Sequence, residues 1–185
     1  MAQKIKSVPR PEPGAGVQTP KGEFLYLYFT DDIEKEPDIQ LGKTAYTAEE
    51  FALKTGAKGI KFYATSGTIE PVVEKTGDTD SIGFTHGIKW AYPGAAADGV
   101  ISLLANRSVV AFHQTCEGGI SRKYGSKCCP LCFSEITYTD NKEANKRELT
   151  FKGASPEKYL PIDISGDLPA VEEFEVEADA GGETA

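Results

Sequence analysis

The sequence predicts a mainly β (α+β) fold, an antiparallel β-sandwich or half-barrel with one flanking α-helix at about residues 95–106 and extended termini. About seven short apolar or aromatic stretches are separated by turns rich in Gly, Pro, Asp and Asn, as in β-rich domains. Only one longer stretch has a clear helical pattern. The 185 residues, 39% of them hydrophobic, suffice for one such domain, which we expect over residues 23–162.

Residues 1–22 are expected to form an extended arm that precedes the domain. Pro9, Pro11 and Pro13, together with nearby glycines, exclude a helix there and disfavour pairing within a sheet. The aromatic segment Gly22–Thr30 that follows has the β-propensity of a first strand.

A short helix is predicted after this strand. Thr47 and Glu50 have the spacing of a capping box, in which each residue satisfies a free backbone N–H of the first turn. The sequence therefore predicts a helix over Ala48–Lys54 that ends near Gly56, with Phe51 as its anchor in the core.

The middle of the chain contains further strands and the main helix. Pro71 places one of these strands at a sheet edge, because proline cannot donate to a central ladder. Four apolar residues of the helix fall on one face at i, i+3, i+4 and i+7: Ala97, Val100, Ile101 and Leu104. The strands expected besides the first are residues 59–67, 68–76, 82–92, 108–115 and 148–153, with a return strand after the cysteines.

The charge of the chain is concentrated at its end. Residues 163–185 contain eight acidic and no basic residues, which equals the whole net charge of −8. We expect this segment to be a solvated acidic tail. An acidic chain is unsuited to tight nucleic-acid binding, which depends on Lys and Arg. With no apolar run of the ~18–20 residues that a membrane helix needs, and no signal peptide, synthesis in a cytoplasm with reduced cysteines is expected.

The cysteine segment allows two interpretations. His113 and Cys116, like Cys129 and Cys132, are separated by two residues, a spacing found in structural zinc sites. Residues three apart on an extended strand point to opposite faces, however, unless the strand breaks at Gln114. The competing interpretation is a β-hairpin with free thiols, so no cofactor is favoured and zinc remains the alternative.

No catalytic set is recognisable, and the chain is predicted not to be an enzyme. The only histidines are His86 and His113; His86 has no acidic partner nearby in sequence, and nucleophile or nucleotide-binding motifs are absent. The basic stretch Ile120–Gly125 is expected to be a solvated hairpin tip. Trp90 is expected to be a core or interface anchor, with carbohydrate binding as the alternative.

The second half of the chain resembles the tail tube proteins of tailed bacteriophages over roughly residues 82–160. A strand ending in Pro-Gly, an Ala-rich helix and a hydrophobic strand occur in the order of that family. Short matches accompany this order: Tyr124-Gly125-Ser126, Pro130-Leu131 and Thr150-Phe151-Lys152-Gly153. The resemblance implies a β-sandwich or half-barrel with one flanking helix.

The resemblance also implies a function, that of a virion structural protein whose copies form stacked, hexameric rings around a DNA-conducting channel. Its partners would be other copies of itself and other tail proteins, with DNA passing without specific binding and no membrane involved. The protein would be made in the host bacterial cytoplasm and located in the virion tail. Contacts between rings would come from the arm and the loop Thr76–Ser81, namely Pro9, Pro11, Pro13, Thr76, Asp78 and Asp80. The alternatives are a zinc-stabilised interaction module, another head–tail assembly protein or a small carbohydrate-binding protein.

Overall fold

The computed structural model describes residues 21–40, 42–116 and 119–173, which form a mainly β fold with one α-helix, as the sequence predicts. Pro9, Pro11 and Pro13 lie outside the described residues. The strands are β1 (Lys21–Phe29), β2 (Ile33–Lys35), β3 (Ala45–Thr47), β4 (Ala52–Leu53), β5 (Ile60–Tyr63), β6 (Glu70–Thr76), β7 (Gly83–Pro93), β8 (Ser108–Thr115), β9 (Ile120–Tyr124), β10 (Leu131–Asp140), β11 (Asn145–Gly153) and β12 (Ile162–Ser165), and the helix is α1 (Asp98–Leu104).

The sheet divides into two branches at strand β8. Its first edge pairs with β1, which also pairs with β5. Its other edge pairs with β10 through Val109 and Ser108, and with β9 from Ala111 to Gln114. From these two points the sheet continues as β9–β12–β3 and as β10–β11–β7–β6. All these pairs are antiparallel except the one between β3 and β12. This division of the sheet into two branches is consistent with the predicted β-sandwich or half-barrel.

Both faces of β8 are buried, because each covers a different hydrophobic cluster. Val109 and Ala111 face a larger core that contains Trp90, Leu149 and Phe151. Here the rings of Trp90 and Phe151 are stacked with centroids 5.4 Å apart. The alternate residues of β8 face a second core. Its members are Tyr28, Ile33, Tyr46, Phe51, Val110, Phe112, Ile162 and Ile164.

Helix α1 covers one part of the larger core, and its apolar face matches the expected pattern with one exception. Ala97, Ile101 and Leu104 are buried, whereas Val100 is 39% exposed. The helix is shorter than expected, since it begins at Asp98 and ends at Leu104.

The predicted helix over Ala48–Lys54 is wrong in length, although its capping box is present. The Thr47 N–H donates to Glu50 Oε2 at 2.9 Å, yet only one 3-10 turn forms. Phe51 then takes an extended conformation and packs into the second core, where its ring is 4.9 Å from that of Phe112. Burial of this aromatic ring therefore overrides a local helix signal.

The acidic segment from residue 163 is part of the domain for about ten residues, unlike the solvated tail expected. β12 inserts between β3 and β9, and Ile164 is fully buried. Further on, the Pro169 carbonyl accepts a hydrogen bond from Tyr28 Oη at 2.8 Å, and Gly59 exchanges backbone hydrogen bonds with Ala170 and Glu172. Apolar residues alternate with polar ones in this segment, and their burial attaches it to the domain. The high negative charge of the segment had indicated a solvated tail instead.

Candidate functional site

Strand β10 has an edge with no neighbour among the described residues. It pairs with β11 along its whole length but with β8 only through Leu131 and Cys132. From Phe133 to Asp140 the outer N–H and C=O groups therefore have no paired strand in the described parts of the chain. An unpaired edge of this length is a template for another strand.

The same part of β10 carries two exposed apolar side chains on the core-facing side of the sheet. Ile136 lies opposite Leu149, and Tyr138 lies opposite Arg147, so each pair shares a face. Leu149 and Arg147 are buried, but Ile136 is 43% and Tyr138 58% exposed. The core-facing side of the sheet thus continues past the covered core into solvent. We call residues 133–140 with this face the β10 edge.

Arg147 holds the β10 edge in position. Its guanidinium makes a bidentate pair with Asp98 at the start of α1, at 2.8 and 2.9 Å. The Tyr138 ring lies over the guanidinium, with its centroid 3.8 Å from Cζ. The hydrogen bonds from Arg147 hold the pKa of Asp98 below its usual range. A long cationic side chain thereby connects α1, β11 and β10.

A buried polar cluster of Lys123, Glu36, His86 and Glu157 packs beside the loop that contains Cys128 and Cys129 and stabilises it. Lys123 lies 2.8 Å from Glu36 Oε1 and donates to the Gly125 carbonyl at 2.7 Å. Lys123 belongs to β9 and is 3% exposed, so the expectation that Ile120–Gly125 is a solvated hairpin tip was wrong. One edge of β9 is covered by β12, a partner that the sequence did not indicate.

His86 is a structural member of this cluster. Its Nε2–H donates to the Tyr159 carbonyl at 3.0 Å, and its Nδ1 accepts from the Gly125 N–H at 3.2 Å. Since a carbonyl can only accept, the proton resides on Nε2 and the ring is neutral. Burial lowers the pKa of His86 and raises that of the neighbouring Glu157 carboxyl. Both ring nitrogens are occupied, which leaves His86 no atom with which to activate a thiol.

The four residues of the zinc alternative are not brought together. His113 pairs with Arg122 near the end of β8, whereas Cys132 pairs with Ser108 at its start. Five residues of strand correspond to about 16 Å, far beyond the reach of one ion. Cys116 donates to the Lys21 carbonyl and Cys129 to that of Pro156. The donor set therefore does not fit zinc, and no group of three potential ligands meets elsewhere in the described residues.

The remaining sequence candidates have ordinary surroundings. Thr76 Oγ1 and Thr85 Oγ1 are 2.8 Å apart, a hydrogen bond between β6 and β7 next to the turn of their hairpin. The Asp78 N–H donates to Ser81 Oγ within the exposed turn that also contains Asp80. Trp90 is completely buried, so it cannot contact a carbohydrate. Among the described residues, no helix has the length and hydropathy needed to cross a bilayer.

Comparison with known proteins adds no assignment. No protein-family model matches the chain, and no curated protein or solved structure does.

Proposed function

We propose that this protein is a self-assembling structural subunit, specifically a tail tube subunit of a virion whose stacked rings form a channel for DNA. The observation that supports this proposal is the β10 edge. It combines unpaired backbone groups with exposed Ile136 and Tyr138 on the core-facing side. A strand from a neighbouring copy would pair with the backbone and cover both side chains.

Ring formation follows from the asymmetry of this contact. If the β10 edge of one copy receives a different edge of the next, the interface is heterologous, and it closes into a ring when the rotation between copies permits. Closure removes open edges from the assembly, which is how stable β structures avoid uncontrolled association. The family resemblance predicts six copies per ring.

The distribution of charge fits a channel through which DNA slides. The net charge is −8, and some basic side chains are paired with carboxylates, as in Lys123 with Glu36, Arg122 with Asp163 and Arg147 with Asp98. The chain as a whole therefore repels phosphates, and tight DNA binding depends on their neutralisation by Lys and Arg. We expect DNA to pass without specific binding.

The test is negative-stain electron microscopy of the concentrated protein, together with its molar mass in solution. We expect rings or hollow tubes for the native chain. Ile136→Lys should leave folded monomers, because its ammonium group would be buried by the incoming strand. The matched control is Val72→Lys on β6, where the replaced side chain is similarly exposed, at 46% against 43% for Ile136.

Two results would contradict the proposal. A native chain that remains monomeric at millimolar concentration would rule out self-assembly. A native chain that forms dimers and nothing larger would retain self-association but rule out the ring.

A further inference from the structure

A groove of about 870 Å³ opens between β6 and the layer made by β8, β9 and β12. At its floor, the His113 ring is stacked on Tyr124 with centroids 5.5 Å apart. Two apolar side chains of its wall are well exposed, Ile120 at 48% and Leu160 at 57%. Most of the wall is apolar and consists of Pro71, Val73, Ile120, Leu160 and Pro161.

Two polar groups at the floor of the groove have no hydrogen-bond partner in the described part of the chain. His113 is 7% exposed, and its Nδ1 is buried without such a partner. Tyr124 is 2% exposed, and its hydroxyl forms no hydrogen bond with a described residue either. Burial raises the pKa of this hydroxyl, which therefore stays protonated and can donate. Because buried polar groups are normally paired, two unpaired ones beside an open groove indicate a bound molecule.

The charged side chains that line the groove are positive in sum, although the chain carries a net charge of −8. Arg122 and Asp163 compensate each other in a bidentate ion pair, at 2.7 and 2.8 Å. Lys21 is the remaining charged residue of the lining, and its ammonium group has no ion pair or hydrogen bond among the described residues. One uncompensated cation beside unpaired polar groups favours a ligand with one negative charge.

We propose that this groove binds a small organic anion, a monocarboxylate with an apolar body. Lys21 and Tyr124 donate to the carboxylate, and a ligand oxygen at the floor gives His113 Nδ1 its missing partner. The apolar body covers the wall that contains Val73 and Leu160, which an inorganic anion would leave exposed. Ligand sites commonly combine an apolar lining with a few polar groups that orient the ligand. No residue of β10 lines the groove, so this binding is independent of assembly through the β10 edge.

Calorimetric titration of the native chain at pH 7 tests the proposal with two probes. Sodium octanoate has the required charge and apolar body, and octanamide is a neutral molecule of nearly the same shape. We expect saturable binding of octanoate with a Kd below about 1 mM. Octanamide should bind at least about fivefold more weakly, because it lacks the charge that Lys21 pairs with. In NMR spectra, the His113 ring proton should shift as octanoate saturates the site.

One pair of variants tests the role of the charge. Lys21→Gln removes the unpaired cation and should weaken octanoate binding at least about fivefold, while the affinity for octanamide stays the same. Lys142→Gln is the matched control, because it changes the net charge equally. Lys142 is exposed, lies between β10 and β11, and does not line the groove.

A second pair of variants locates the apolar body. Leu160→Ser should weaken the binding of both probes, and it leaves the core intact because Leu160 is 57% exposed. Leu103→Ser on α1 is the control, since Leu103 is 74% exposed and does not line the groove.

Three results would overturn the proposal. The first is the absence of saturable octanoate binding up to about 10 mM. The second is equal affinity for octanoate and octanamide, which would exclude an anion as the ligand. The third is native affinity in both Lys21→Gln and Leu160→Ser, which would place the bound octanoate outside the groove.

Discussion

At the two ends of the layer β10–β11–β7–β6, the outer edges of β6 and of residues 133–140 of β10 have no paired strand among the described residues, but their chemistry differs. Strand β6 contains Pro71 and has charged residues at Glu70, Glu74 and Lys75. Strand β10 has no proline, its charged residues are Glu135 and Asp140, and its exposed core-facing residues are Ile136 and Tyr138. Proline and charge are the usual means by which proteins protect an edge from pairing with another chain. The sequence thus protects one edge and leaves the other available.

Exposure alone therefore does not identify a contact surface. Val72 on β6 and Ile136 on β10 are almost equally exposed, at 46% and 43%. Only Ile136 lies on the core-facing side and beside unpaired backbone, whereas Val72 faces outward with Glu74 and Lys152. A face that continues from a covered core into solvent is the more specific sign of a missing neighbour.

The largest difference in unfolding free energy between a core substitution and an edge substitution is expected within one cross-strand pair, Leu149 and Ile136. Leu149→Ala should lower the free energy of unfolding by about 3 kcal/mol, because Leu149 is fully buried and the substitution leaves a cavity. Ile136→Ala, directly opposite, should cost less than about 1 kcal/mol in the monomer. Urea denaturation of both variants at low concentration measures this. Equal losses would show that Ile136 already belongs to the core and would remove it from the proposed contact.

The sequence predicted the fold class because its signals are local. Alternating apolar residues, turn residues and the face shared by Ala97, Ile101 and Leu104 each depend on neighbours within about ten positions. The capping box at Thr47 and Glu50 was also a valid local signal. Its outcome was decided by Phe51, whose burial against Phe112 joins positions far apart in the chain.

The candidate sites were less accessible to sequence reasoning, because their partners are distant. Lys123 is buried by Glu36 and by the pairing of β9 with β12, which no local pattern encodes. The spacing of His113 and Cys132 suggested proximity that the length of β8 excludes. The β10 edge could have been suspected from SEITYTD, a proline-free stretch of β-formers. Its open side is visible only from the strand order.

A smaller effect concerns His113 on the floor of the groove beside β6. Burial, with the nearby charges of Lys21 and Arg122, lowers the pKa of His113 to about 4. Between about pH 6.5 and pH 4, His113 is therefore protonated in the unfolded chain, where the histidine pKa is about 6.5, but neutral in the folded chain. The stability due to neutral His113 is complete above about pH 6.5 and is lost as pH falls toward 4.

The titration of His113 can be followed through its ring proton by NMR. We expect a midpoint near 4 in the native chain, and a smaller loss of stability between pH 7 and pH 4.5 in His113→Phe, which keeps the stack on Tyr124. A native midpoint near the usual histidine pKa would show that water reaches the floor of the groove. In that case the β6 side of the sheet would be as accessible to solvent as the β10 edge, and the conclusion that only the β10 edge is available for contact would be wrong.

The smallest effect is expected from the ion pair on the outer face of the protected edge. Lys152 Nζ on β11 lies 2.7 Å from Glu74 Oε2 on β6, and about half of each side chain is exposed. Solvent and salt screen such a pair, so Glu74→Gln should lower the free energy of unfolding by only about 0.5 kcal/mol, and by less in 1 M salt. Denaturation at low and high salt measures this difference. A much larger loss of unfolding free energy would mean that the charged residues of β6 also stabilise the pairing of this strand. The same charges would then both stabilise the edge strand and prevent its pairing with another chain.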